Sequence, residues 1–95
     1  MYGTIMRGQL KPGAEASMLE LLDEFMARHV PGFVTQYTYR MDADPSVYMA
    51  AVIFESKESY FANADSPGQD AFYQRMAALF AGEPEWHDGE VVYPR

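Results

Sequence analysis

Histidine is the side chain that ordinarily changes charge near neutral pH. Of the two in this chain, only His87 stands beside an aromatic residue and outside any helical pattern, in Trp86-His87-Asp88. His87 is therefore the first candidate for moving a proton. On an extended segment Trp86 and Asp88 point away from it, so the tripeptide is not a His–Asp dyad. The same residues also suit a plain structural role, with Trp86 plugging one end of a core and His87 at a surface or interface. Asn63 and Asp65 make a second group, at a break within a helical stretch. There polar side chains either point along a pocket or cap helix ends. Tyr37, Tyr39, Tyr60 and Tyr73 offer phenolic donors, or serve as core aromatics with a hydroxyl at the rim. His29 follows a helical stretch and reads as a charge on its C-terminal dipole. It is far from His87, and no His-x-x-Glu or similar spacing joins them, so a metal site has little support. No cysteine is present, which excludes thiol catalysis, thiolate metal sites and disulfides.

The elements that must position these groups follow from periodicity. Tyr2 to Leu10 is rich in strand-forming residues and stops at Lys11-Pro12-Gly13. Met18, Leu21, Leu22, Phe25 and Met26 recur at helical spacing, with Glu15 in the first turn and Arg28 and His29 in the last. Pro31-Gly32 ends that helix. Phe33 to Met41 alternates, Phe33, Thr35, Tyr37, Tyr39 and Met41 sharing one face. The turn Asp42 to Ser46 leads into an antiparallel return from Val47 to Glu55. Ser56 caps a helical run through Lys57 to Ala64. Ser66-Pro67-Gly68-Gln69 then has the form of a capping box that restarts the helix, with Phe72, Met76, Leu79 and Phe80 on one stripe and Gly82 as its end. Glu85 to Tyr93 reads as a last extended segment with a turn or bulge at Asp88-Gly89. The order is strand, helix, strand, strand, broken helix, strand, an α+β arrangement.

Val47 to Phe54 is apolar on both faces: Val47, Met49, Ala51 and Ile53 on one, Tyr48, Ala50, Val52 and Phe54 on the other. Helices on one side of an antiparallel sheet cover only one face. In 95 residues the available cover for the second face is another copy of the chain, so a homodimer with an internal cavity is expected. The net charge of −7 and the absence of Lys/Arg clusters argue against nucleic acid. The N-terminus lacks the pattern of a signal peptide, and no apolar run is long enough to span a bilayer, so no membrane partner and a cytoplasmic location are expected.

Several motifs carry a family resemblance. Lys11-Pro12-Gly13 precedes the first helix, Pro31-Gly32-Phe33 opens the second strand, and Phe54-Glu55-Ser56 leads into the second helix. Within that helix come Ser66-Pro67 and Gln69-Asp70-Ala71-Phe72. In order and spacing they resemble the antibiotic biosynthesis monooxygenase-like domain of the dimeric α+β barrel superfamily, over residues 1–95 as one such domain. The resemblance implies a ferredoxin-like βαββαβ fold whose antiparallel four-stranded sheets close into a barrel between two subunits. Each subunit would keep a pocket between sheet and helices. Some members oxygenate quinols or polyketide phenols without metal or flavin, and others degrade haem. The haem-degrading pattern has an Asn on the first strand, where this chain has Met6, and a Trp and a His on the second helix. Here that helix offers Phe61 and has no histidine from Ser56 to Gly82. Many relatives have His near position 63 and just after Ser-Pro; this chain has Asn63 and Gly68-Gln69.

Taken with the resemblance, the expected function is oxidation of a small aromatic phenol or quinol by dioxygen, with no cofactor and no metal. His87 is expected to take the proton, with Asn63 and Tyr73 holding the substrate oxygen. Tyr37, Tyr60, Phe61, Phe72 and Trp86 are expected to form the substrate-binding surface. The alternative is a non-catalytic dimeric domain that binds a small molecule or serves a stress response.

Overall fold

Each strand turns alternate side chains to opposite sides of the sheet, so the register decides which residues meet the helices. The computed structural model describes residues 1–95. In chain order the elements are β1 (Tyr2–Gln9), α1 (Glu15–Ala27), β2 (Phe33–Arg40), β3 (Val47–Phe54), α2 (Lys57–Ala64), α3 (Pro67–Ala77) and β4 (Glu85–Glu90). The strands pair antiparallel in the order β2-β3-β1-β4. This is the expected ferredoxin-like α+β fold.

The helices pack on the face carrying Met6, Leu10, Tyr48 and Ala50, which cluster with Met18 of α1 and with Phe80 after α3. An aromatic row extends the core to one side. Phe33 meets Phe25 at 5.0 Å and Phe54 at 5.6 Å between ring centroids, both edge-on. On the opposite face Ile5, Tyr37 and Tyr39 are exposed, and Met49, Ala51 and Ile53 are only half-buried. That face has no cover within the protomer.

The helix break forms where expected. Ser56 caps α2 with a complete reciprocal capping box to Ser59. Ser66 caps α3 by accepting from the Gln69 backbone N–H, with Pro67 at the first position. Four details differ from the sequence reading. The Ser66 motif is half a capping box, because the Ser66 N–H goes to the Asn63 carbonyl and not to the Gln69 side chain. A register shift between Phe33 and Thr35 moves Phe33 to the helix face, opposite Phe54, and away from Thr35, Tyr37 and Tyr39. Helix α1 ends at Ala27, with Arg28 as its cap and His29 beyond it in a left-handed conformation (φ 49°). Strand β4 runs through Asp88-Gly89 in unbroken register with β1, without the expected bulge, and ends at Glu90. In the two strands, pairing with β3 and β1 overrode a local signal.

Candidate functional site

Short side chains on the sheet and the bend between α2 and α3 leave a cavity of about 290 Å³ between sheet and helices. Its floor carries Thr4 and Met6 of β1, Gln36 and Thr38 of β2, Ala50 and Val52 of β3, and Trp86 of β4. Met18, Leu22 and Phe25 of α1 close one side. The other side is built by the break. Ser66 Oγ donates to the Asn63 carbonyl at 2.8 Å and accepts from the Gln69 N–H at 3.2 Å. This clamp holds the last turn of α2 against the first turn of α3. As a result Tyr60, Asn63, Gln69, Asp70, Phe72 and Tyr73 all reach one wall.

The lining is mainly apolar, with a few polar groups converging on it, the usual composition of a small-molecule site. Tyr60 donates its hydroxyl to Asp88 at 2.9 Å. Burial, and then this bond to a carboxylate, push the Tyr60 phenol up to about 12, so it stays protonated and neutral. Gln36 donates to Thr38 Oγ1 at 3.1 Å across the floor. Thr4 Oγ1 and Gln69 Oε1 are buried without a hydrogen-bond partner. Asp70 is the one carboxylate in the lining, and no Lys, Arg or His lies there. No group of three His, Cys, Asp or Glu side chains converges in a way that could hold a metal ion.

The cavity brings together Asn63, Tyr73, Tyr60, Phe72 and Trp86 from the sequence-derived candidates. Tyr73 and Trp86 pack against each other at 6.1 Å between ring centroids. Three of the expected catalytic and substrate-binding residues lie elsewhere, and Asp65 and Tyr39 also stand outside the lining. His87 pairs with Ile5, one position along from the Trp86–Met6 pair, and so sits exposed on the uncovered face, across the sheet from the cavity. Tyr37 pairs with Ala51 on that same face. Phe61 packs edge-on against Tyr60 at 5.1 Å and on Tyr2 at 5.8 Å, outside the cavity lining. His87 therefore cannot serve this cavity as its proton acceptor from within the protomer. Sequence reasoning missed Thr4, Gln36 and Thr38 on the floor, and Asp70 on the wall. Thr4 alternates in phase with Met6, and Gln36 and Thr38 out of phase with Tyr37 and Tyr39, which was the signal available. Gln69 enters the sequence reading through its cap and the family motif, not as a residue of the cavity.

No curated protein matches the sequence significantly. Among solved structures, the chain resembles an antibiotic biosynthesis monooxygenase with TM-score 0.76 and 15% identity, covering 97% of this chain and 99% of the other. SnoaB, a cofactor-independent oxygenase from Streptomyces nogalater, aligns with TM-score 0.77 and 19% identity over 99% and 97% of the two chains. A protein from Methanosarcina mazei aligns with TM-score 0.81 and 12% identity over 94% and 90%. At such identities these likenesses speak for the fold. The sequence profile of the family "Antibiotic biosynthesis monooxygenase" matches residues 1–75, which contain five of the seven elements, most of α3 and most of the cavity wall. This chain belongs to the antibiotic biosynthesis monooxygenase family.

Proposed function

We propose that the protein oxidises a small aromatic phenol or quinol with dioxygen inside the sheet–helix cavity, without a cofactor. The observation that carries this reading is the cavity itself. It is apolar and aromatic, about 290 Å³ in volume, and has Asn63, Tyr73 and Asp70 gathered on one wall. Membership of the family and the fold shared with a cofactor-independent oxygenase support it.

The chemistry asks for a proton acceptor, donors to hold an oxyanion and a dry site. Asn63 and Tyr73 are assigned to hold the substrate oxygen. With His87 on the far face, Asp70 takes over as the proton acceptor. Loss of the proton leaves an electron-rich anion that passes one electron to dioxygen. The radical pair then combines to form a carbon–oxygen bond. Asp70 returns its proton to the peroxide anion, and loss of water from the hydroperoxide leaves a carbonyl. The substrate gives up four electrons, one oxygen atom enters the product and the other leaves as water.

Oxygen uptake over a panel of hydroquinones and anthrone-like phenols tests this reading. Turnover should resist chelators. It should fall about a hundredfold or more in Asp70→Asn, the usual scale of general base catalysis, and also fall in Tyr73→Phe and Asn63→Ala. No oxygen uptake above the uncatalysed rate with any of them would sink the reading and leave a non-catalytic small-molecule-binding domain. The absence of histidine from the lining is the observation that favours this second possibility.

We also assign the uncovered sheet face to a second copy of the chain, giving a homodimer with one cavity per subunit. Ile5, Tyr37 and Tyr39 are 52%, 62% and 59% exposed there, beside the half-buried Met49, Ala51 and Ile53. A patch of this kind on one face marks an association surface.

A further inference from the structure

Most buried polar atoms in folded proteins have a hydrogen-bond partner, so each orphan calls for an explanation. This chain has two such side-chain atoms, Thr4 Oγ1 and Gln69 Oε1, and both residues line the same cavity. Thr4 is only 5% exposed, on the sheet floor. Gln69 stands on the helix wall, in the first turn of α3. Its backbone N–H is already used by Ser66, while its side-chain amide oxygen Oε1 is left unpaired.

We propose that Thr4 Oγ1 and Gln69 Oε1 are a two-point anchor for an uncharged aromatic ligand that carries a hydroxyl donor, and that this anchor selects it over anionic aromatics. The proposal rests on the reading of the cavity as a phenol site and adds which residues choose the ligand. Gln69 Oε1 only accepts, so the group facing it must donate. Thr4 Oγ1 donates or accepts, so a hydroxyl or a carbonyl suits it. Tyr60 Oη commits its own proton to Asp88, and its lone pairs face the Thr4 hydroxyl, which turns the Thr4 lone pairs towards a donor. The wall therefore asks for donors. No cationic side chain lies in the lining, and its one carboxylate, Asp70, is at the exposed edge, so a carboxylate or phosphate on the ligand would lose water at the anchor without gaining a partner, which is costly. The volume, at the low end for ligand pockets, suits two or three fused rings.

The test is a heteronuclear NMR titration of the full chain with 2-naphthol, 2-methoxynaphthalene and 2-naphthoate, which share a ring system and differ in donor and charge. 2-Naphthol should bind about tenfold or more tightly than the methyl ether, and the carboxylate weakest of the three, the scale expected when a buried acceptor is left unmatched. The Gln69 side-chain amide resonances should move with 2-naphthol. In Gln69→Leu the preference for the naphthol over its ether should collapse to about one. Thr4→Val is a near-isosteric second variant and should lower 2-naphthol affinity while raising Tm, because it removes an unsatisfied hydroxyl from the empty cavity. A purely structural threonine would not show that opposed pair of changes. Equal affinity for naphthol and ether, naphthoate binding as tightly as naphthol, or no naphthol binding at millimolar concentration would each overturn the proposal. Oxygen uptake separates the two readings. Selective naphthol binding without uptake of oxygen by any quinol leaves the anchor standing and removes the oxygenase. Uptake without selectivity does the reverse.

Discussion

Glu15 opens α1 and accepts three hydrogen bonds. The Tyr48 hydroxyl donates at 2.7 Å, and the Arg40 guanidinium donates through two nitrogens at 2.8 and 2.9 Å. The Tyr48 bond, and after it Arg40, hold the Glu15 carboxyl below the usual carboxylate range. A group whose folded-state pKa is lowered contributes stability above its unfolded value and loses it as pH falls towards the folded one. The contribution of Glu15 should thus be intact at neutral pH and fade as pH drops below about 4.5. Tm measured against pH should show a shallower acid limb in Glu15→Gln than in the parent. Identical limbs would show that water screens the network completely. At this scale the sequence was legible only where alternation could be anchored. Trp86 and His87 are adjacent, but Trp86 faces the cavity and His87 lies across the sheet. The chemistry of a histidine drew attention to the residue, and its place in the pleat removed it from the site. Asp70 and Thr4 carry no such chemical flag; alternation sets Thr4 beside Met6, and only packing brings Asp70 to the same cavity.

The α2–α3 break is the element that makes the cavity wall, and it depends on Ser66. Replacing Ser66 by Ala removes both the cap to Gln69 and the bond to the Asn63 carbonyl. It should cost about 1 kcal/mol, the typical loss for such a cap, measured by urea unfolding with an unchanged slope. Binding in the cavity should weaken too, because the clamp positions Asn63 and Gln69. Gly32 is a second point of local necessity. Its φ is +80°, and a Cβ there would come within 2.4 Å of Ser59 Cβ. Gly32→Ala must therefore strain the backbone and push α2 away from β2, a loss beyond the usual Gly-to-Ala effect. An unchanged Tm in that variant would show that the loop adapts freely. Order and type of every element were legible, because turn chemistry and helical or alternating periods agree along most of the chain. What failed was local. The shift at Phe33–Thr35 and the smooth run through Asp88-Gly89 are set by pairing with β3 and β1, which a single segment does not encode.

At the scale of the molecule the apolar inventory exceeds what one protomer hides. Hydrophobic residues make up 48% of the chain, yet 13 of 95 residues are buried. The deficit lies on the sheet face opposite the helices, where Ala51 of β3 stands between exposed Tyr37 of β2 and exposed Ile5 of β1, with half-buried Ile53 two residues along. Small domains have little stability to spare, so covering that face matters to folding as well as to assembly. Sedimentation at micromolar concentration should give a single species of twice the 10.8 kDa protomer mass. Ala51→Glu directs a charge into the centre of that face. If the face is the interface, the variant places two uncompensated carboxylates in a buried contact and should lose the dimer. The freed protomer then exposes the whole apolar face and should aggregate or unfold rather than persist as a stable monomer. Glu58→Lys, on the exposed side of α2, is the matched control and should leave the mass unchanged. A wild-type protein that sediments as a folded monomer, or an Ala51→Glu variant that keeps the dimer mass, would place the contact elsewhere and leave the exposed tyrosines without a partner.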